Sequence, residues 1–308
     1  LFRVNVATVR VPAKINLCLG VGPVREDGFH PLATVYQAVG LHDEVRATSR
    51  ADDEINVIVN SELDVRSELA TVPEDDNNLA VKAAKLLRDH TGFVGGVDLA
   101  IRKVIPVAGG MAGGSADAAA SLVACNDAWG TGLGRADLEF LAAKLGSDVP
   151  FLLHGGNAVG GGRGETISPV LARGSYHWVF AIAAEGLSTA AVYAEFDRLN
   201  ADGKVPEPKV PDALLAALRA GDADALGDAL SNDLTEAALS LRPELQDTLE
   251  VGIEAGALGA ILSGSGPTAM FLASDEQHSL DIAFALTSAA ACADVVQSHG
   301  PVPGARLA

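Results

Sequence analysis

One segment constrains this chain more than any other: Pro106-Val107-Ala108-Gly109-Gly110-Met111-Ala112-Gly113-Gly114-Ser115-Ala116-Asp117, with four glycines in the six positions from Gly109 to Gly114. Residues 97–105 before it read as a strand, and the alanine-rich stretch after it reads as a helix to about Trp129. Glycines without β-carbons leave closely spaced backbone N–H groups open, and the helix points its positive end at the same place. The combination fits a polyphosphate. A tight strand-to-helix turn alone would need fewer glycines. The run fits neither G-x-x-x-x-G-K-[ST] nor G-x-G-x-x-G, which counts against a Walker ATPase and a Rossmann dehydrogenase. Ser115 is placed either to cap the helix or to touch a phosphate-bound magnesium ion.

Around this loop the chain divides into two patterns. The first fifty residues hold apolar β-rich segments at 4–11, 15–21 and 32–41, broken by Pro12, Pro23 and the turn Arg25-Glu26-Asp27-Gly28. A strand at 55–59 leads to a helix with Leu79, Ala83, Leu86 and Leu87 at helical spacing behind Asn78 as its cap. A further helix spans 135–145, and Ser147-Asp148-Val149-Pro150 opens the next segment. Glycines crowd 155–164, which places the domain boundary near 160 and gives domains 1–160 and 161–308. Without its extra helices the second unit reads β-α-β-β-α-β, the split ferredoxin-like pattern, and the class is α+β.

Of the 308 residues, 40 are Asp or Glu and 22 Lys or Arg, a net charge of −18. No global positive field is available for nucleic acid or an anionic membrane, so an anionic ligand must be held locally. The three cysteines, Cys18, Cys125 and Cys292, lie far apart without a C-x-x-C pair; they read as reduced core thiols, not as a disulfide framework or a zinc site. No apolar run of membrane-spanning length occurs, and a cytoplasmic location is the expectation.

Four further places could carry chemistry. In Pro12-Ala13-Lys14-Ile15-Asn16-Leu17, strand alternation puts Lys14 and Asn16 on one face, either solvated or turned to a site. Asp148, among apolar residues, is either a helix cap or a carboxylate in a closed site. His30 follows the turn Asp27-Gly28-Phe29 and reads as an exposed turn residue unless a ligand uses it. Ser263-Gly264-Ser265-Gly266-Pro267 is either a plain hairpin or a close backbone approach to a ligand.

Taken in order, Pro12–Leu17, the loop from Pro106 to Asp117 and Leu262-Ser263-Gly264-Ser265-Gly266 resemble the three motifs of the GHMP small-molecule kinases. The resemblance spans nearly the whole chain and implies an N-terminal ribosomal-S5-domain-2-like domain that binds ATP and a C-terminal ferredoxin-like substrate domain. Arg25-Glu26-Asp27-Gly28-Phe29-His30, Gly113-Gly114-Ser115 and Gly146-Ser147-Asp148-Val149-Pro150-Phe151 are similar to the branch acting on 4-diphosphocytidyl-2-C-methylerythritol. That branch implies ATP-dependent phosphorylation of the 2-hydroxyl in the non-mevalonate route to isoprenoids.

By the same resemblance Lys14 and Asp148 form the catalytic pair. Pro106, Val107, Ala108, Gly109, Gly110, Met111, Ala112, Gly113, Gly114, Ser115 and Ala116 form the ATP loop, with Asn78 near the adenine. Asn16, Phe29, His30, Thr189, Tyr193, Gly264, Ser265 and Gly266 face the substrate, with Phe29 and Tyr193 stacking on cytosine and His30 bonding its edge. Phe29 stands where relatives often carry Tyr, and Ala108, Ala112 and Ala116 where they often carry Gly or Ser. Magnesium arrives with ATP, and a local positive funnel is expected near Lys14, Lys82 and Lys103. The partner is a small molecule, with no nucleic acid or membrane, and the chain works as a monomer or weak homodimer. Two alternatives stand beside this reading: another kinase of the superfamily acting on mevalonate, homoserine or a sugar, and a non-catalytic ligand sensor on the same scaffold.

Overall fold

The computed structural model describes residues 3–61, 72–107, 109–162, 164–201, 203 and 205–308. Its first half holds β1 (Val6–Val21), β2 (Leu32–Arg50), β3 (Ile55–Ser61), α1 (Leu79–Thr91), β4 (Gly96–Lys103), α2 (Gly113–Trp129), α3 (Arg135–Leu145), α4 (Val149–His154), β5 (Asn157–Gly161) and β6 (Thr166–Pro169). The second half holds β7 (Tyr176–Ile182), α5 (Thr189–Leu199), α6 (Asp212–Ala220), α7 (Ala223–Ala229), β8 (Ser231–Asn232), α8 (Thr235–Leu241) and α9 (Glu244–Glu254). It closes with β9 (Gly259–Leu262), β10 (Ala269–Ala273), α10 (Glu276–Ser288), β11 (Asp294–Gly300) and β12 (Arg306–Leu307).

The first sheet runs β12-β1-β2-β4-β3, with β5 on the remaining half of β2, β6 beyond β5, and β8 along β1. Contrary to the sequence expectation, Pro12 does not break the first strand. A register shift between Pro12 and Ala13 absorbs the residue that cannot donate to the ladder, and a second shift follows between Asn16 and Cys18. Lys14 and Asn16 lie between these two irregularities, which is where a strand re-aims its side chains. Helix α2 packs across β1 and β2. Its alanines allow that approach: Ala116, Ala118, Ala119, Ala120 and Ala124 have no exposed surface.

The second sheet is antiparallel, in the order β11-β7-β10-β9, with α10 between β10 and β11. This is the expected split β-α-β arrangement. Its two faces feed two cores. Trp178, Phe180, Met270 and Leu272 join the core that holds Ile15, Leu17, Tyr36 and Leu99, while the alternate residues Val179, Ala181, Ala269 and Phe271 pack with Val192, Leu262 and Ile282. Each fully buried Leu or Ile contributes roughly 1.5–3 kcal/mol of transfer free energy to these cores. Trp178 Nε1 donates to Gln37 Oε1 at 2.7 Å, and Gln37 Nε2 donates to Asn157 Oδ1 at 2.8 Å, tying the sheets together.

The division placed near 160 falls inside β5. Strands β5 and β6 extend the first sheet, β8 and β12 return to it, and the second sheet begins at Tyr176. The glycines at 155–164 shape a hairpin of the first sheet: Gly162 turns it at φ +69°.

Candidate active site

The glycine loop opens a cavity of about 420 Å³, lined on this side by Pro106, Gly109, Gly110, Ala112, Gly113, Gly114 and Ser115. Ala108 lies outside the described residues. Met111 and Ala116 point into the core with no exposed surface, and Val107 is half-buried outside the lining. Ser115 does not cap α2. The cap position is Ala112, at φ +60°, and no side chain closes the helix end. The first-turn amides therefore face the cavity without a competing side-chain oxygen, the arrangement that suits phosphate.

Two neighbours hold the loop in this shape. Lys14 N–H donates to Met111 O at 3.2 Å, Ser263 Oγ donates to Gly110 O at 3.2 Å, and a β-carbon on Gly110 would stand 2.1 Å from Ser263 O. Only glycine allows that approach, at a φ of +75°. Asn232 Nδ2 donates to Leu262 O at 2.9 Å and Gly264 O at 2.7 Å, steadying the turn between β9 and β10. Residues 263–267 are thus a hairpin whose backbone approaches the glycine loop closely. Gly264 and Ser265 line the cavity, and Gly266 lies behind them.

Lys14 is buried and turned to the cavity, not solvated. Its Nζ lies 3.4 Å from Asp148 Oδ2 and donates to Asn16 Oδ1 at 3.0 Å. Asn16 Nδ2 donates onward to Thr34 Oγ1 at 2.8 Å, and Thr34 Oγ1 to Cys18 O at 2.6 Å, which fixes the Asn16 oxygen toward the lysine. Asp148 precedes α4 but makes no cap hydrogen bond, so its carboxylate is left for Lys14 and the cavity. Asn78 behaves differently. Its Oδ1 accepts from Ala80 N at 2.8 Å and its Nδ2 donates to Pro73 O at 2.7 Å; the neighbouring Leu79 lines the cavity instead.

Thr189 and Tyr193 also line the cavity, with Thr189 Oγ1 2.9 Å from Ser265 Oγ. His30 is buried at 8% exposure, not an exposed turn residue. Its Nδ1 lies 2.7 Å from Gly22 O, so Nδ1 carries the hydrogen and Nε2 is left toward Asp197, 3.5 Å away. The imidazole stacks obliquely on Tyr193 at 5.2 Å. Phe29 is 51% exposed and outside the cavity lining, so the structure brings Tyr193 to His30, not to Phe29.

Two profiles match the chain: the GHMP kinases N terminal domain over residues 78–156 and the GHMP kinases C terminal domain over 214–292. It is 57% identical over 301 residues to the 4-diphosphocytidyl-2-C-methyl-D-erythritol kinase of Thermobifida fusca, covering 97% of each chain. The chain belongs to the 4-diphosphocytidyl-2-C-methyl-D-erythritol kinase family. As a member of this family of GHMP kinases it is an ATP-dependent small-molecule phosphotransferase. A crystal structure of 4-(cytidine 5'-diphospho)-2C-methyl-D-erythritol kinase superposes with a TM-score of 0.75 at 30% identity, covering 96% of this chain and 98% of that one. A homoserine kinase from Cytophaga hutchinsonii shares the fold alone, with a TM-score of 0.74 at 19% identity over 99% and 98% of the two chains.

Sequence reasoning misplaced two lysines of this kinase and missed several supports. Lys82 is exposed on α1 away from the cavity, and Lys103 is 1% exposed, so no funnel forms from them. Lys103 Nζ instead donates to Asp43 Oδ2 and, at 2.9 Å, to Asp117 Oδ2. Asp43 Oδ1 also accepts from Val104 N at 2.6 Å and Ile105 N at 2.8 Å, pinning the chain where β4 enters the glycine loop. The signal was present in the alternation: Leu41-Asp43-Val45 and Leu99-Ile101-Lys103 put charges on inward-facing registers. Tyr36, Ser147, Leu19, Leu32 and Leu234 also line the cavity, brought there by tertiary packing that no local motif announces. The cysteines are free, with Cys18 and Cys125 buried and Cys292 half-buried; burial raises the thiols of Cys18 and Cys292 to about 11.

Proposed function

We propose that this kinase transfers the γ-phosphoryl group of ATP to the 2-hydroxyl of 4-diphosphocytidyl-2-C-methyl-D-erythritol, in the non-mevalonate route to isoprenoids. The observation that carries the reading is the Lys14–Asp148 pair, 3.4 Å apart on the wall of a cavity whose other wall is the glycine loop. Asp148 receives or orients the proton of the acceptor hydroxyl. Lys14 holds that carboxylate in place and neutralises charge on the transferring phosphoryl group. The uncapped amides of Gly113, Gly114 and Ser115 hold the phosphates, and Asn16 positions both Lys14 and the acceptor. Tyr193 offers its ring as the aromatic wall for the cytosine, with His30, outside the cavity lining, packed against it at 5.2 Å, and Thr189 and Ser265 on the same lining.

Magnesium fits the same place. Among the described residues no three His, Cys, Asp or Glu side chains converge on a metal position, which suits an ion that reaches the site on the nucleotide's phosphates and keeps most of its waters. Ser115, whose hydroxyl is not spent on a cap, is its candidate protein ligand. The ion supplies charge neutralisation along the phosphates. Three free cysteines support a reducing cytoplasmic setting, and no helix among the described residues is long and apolar enough to cross a membrane. The net charge of −18 counts against nucleic acid and anionic membranes as partners.

The test is ADP release with magnesium and ATP on the cytidyl substrate, beside mevalonate and homoserine. Turnover on the cytidyl substrate alone is expected. Turnover only on another alcohol would discard the substrate assignment, and ATP binding without turnover on any would favour a sensor.

A further inference from the structure

Residues 231–234 tie the two sheets together beside the cavity. As β8 they run parallel to β1, with Ser231 opposite Cys18 and Asn232 opposite Leu19. Asp233 adds to that attachment: its N–H donates to Leu19 O at 2.9 Å, and its Oδ2 accepts from Val21 N at 2.8 Å. Leu234 and Leu19 both line the cavity. Asn232 reaches the other way, to the second sheet. The two hydrogens of its Nδ2 go to the turn after β9, to Leu262 O at 2.9 Å and Gly264 O at 2.7 Å. Its Oδ1 accepts from Leu234 N at 2.9 Å, which fixes the amide's orientation, because a flipped amide would set its oxygen against two carbonyls.

The glycine loop rests on the turn that Asn232 holds. Ser263 Oγ donates to Gly110 O at 3.2 Å, and a β-carbon on Gly264 would lie 3.3 Å from Gly110 O and 3.4 Å from Asn16 Oδ1, the oxygen that accepts from Lys14. Within the turn, Ser263 N donates to Thr268 O at 2.9 Å and Gly266 N to Ser263 O at 2.8 Å; these bonds give it its shape, while Asn232 joins it to the strand of Lys14. We propose that Asn232 is a positioning residue for ATP: through the turn at Ser263 and Gly264 it sets the place of Gly110, and with it the amides that receive the phosphates. This rests on the reading of the glycine loop as the phosphate holder. Alanine at 232 leaves Leu262 O and Gly264 O without this donor and the turn free to move off Gly110, while β8 keeps its backbone pairing with β1.

The experiment titrates magnesium–ATP and adenosine against wild type, Asn232→Ala, Ser263→Ala and the double variant, with the unfolding midpoint of each recorded. The ATP affinity of Asn232→Ala is expected to fall about 10-fold, as for one or two hydrogen bonds lost. Its adenosine affinity stays at the wild-type value, a split that general loosening of the fold does not produce. Ser263→Ala moves ATP affinity in the same direction, and the double variant loses less than the product of the two, because both act through one turn. Asn232→Ser, whose shorter side chain reaches at most one of the carbonyls, replaces Asn232→Ala if that variant does not fold. Wild-type ATP affinity in the folded variant at 232, or effects at 232 and 263 that simply multiply, overturns the Asn232 assignment alone. A wild type that binds ATP no more tightly than adenosine removes its premise and overturns both.

Discussion

Lys14 and Lys103 are both buried, at 6% and 1% exposure, and both lie against aspartates. Their partners differ. The Asp148 side chain is 28% exposed and opens on the cavity, whereas Asp43 and Asp117 are sealed at 0% and 2%. Every route from Lys103 leads to protein: its ammonium bridges two carboxylates, and a β-carbon on Gly113 would stand 2.8 Å from its Nζ. It fixes where β4 ends and where α2 begins, and so sets the span of the glycine loop. Lys14 keeps one side toward the cavity. Two lysines of similar burial thus separate into a sealed cation and one that opens on the cavity by the wetting of their carboxylates, because a sealed charge cluster has neither room nor water for a substrate.

The largest effect expected is on stability. Lys103→Met leaves the Asp43 carboxylate buried without its counter-charge and Asp117 without its hydrogen-bond partner, and unfolding in urea should show a loss of about 3–5 kcal/mol. Lys14→Met should leave the urea midpoint within a few tenths of a molar unit of wild type, on the order of a surface change. Its turnover should fall at least about 10²-fold. Equal stability losses in the two variants would erase the distinction between the clusters.

A pH experiment sharpens it. Burial, partly offset by the charge of Lys103, pushes Asp117 up to about 8 from 3.8. The native state therefore holds that proton more tightly than the unfolded chain. The stabilisation is fully present below 3.8 and lost as pH rises through about 8. Asp117→Asn keeps an oxygen to accept from Lys103 and removes the titration, so its stability should decline less between these limits than that of wild type. Parallel slopes in the two proteins would count against a protonated Asp117. The smallest effect expected is at the loop itself: Ala112, at φ +60°, carries strain that glycine does not, so Ala112→Gly should raise stability by up to about 1 kcal/mol in the same urea assay.

Much of the site was legible in the sequence because backbone chemistry writes it locally. Helix α3 runs from Arg135 to Leu145 as its pattern indicates, Asn78 caps α1, and the glycine loop stands between strand and helix. Lys14 and Asp148, singled out through motifs whose spacing carries family information, do meet on the cavity wall, 3.4 Å apart. What escaped depends on contacts remote in sequence. His30 is buried because Phe196 and Tyr193 close over it from α5, at 5.9 and 5.2 Å. Lys103 reads from sequence as part of a positive funnel because the partners that bury it lie 60 residues before it and 14 after it. The glycines near 160 read as a domain boundary because a hairpin turn and a boundary share a composition, and only the pairing of β5 with β2 separates them.

The central claim, that the Lys14–Asp148 pair performs the transfer, is tested most directly by the first turnover. Rapid-quench measurement of phosphorylated product, with ATP and the cytidyl substrate both saturating, compares Asp148→Asn with wild type free of product release. The account predicts a first turnover at least about 10²-fold slower with ATP affinity and unfolding midpoint unchanged. A first turnover at the wild-type rate would contradict it.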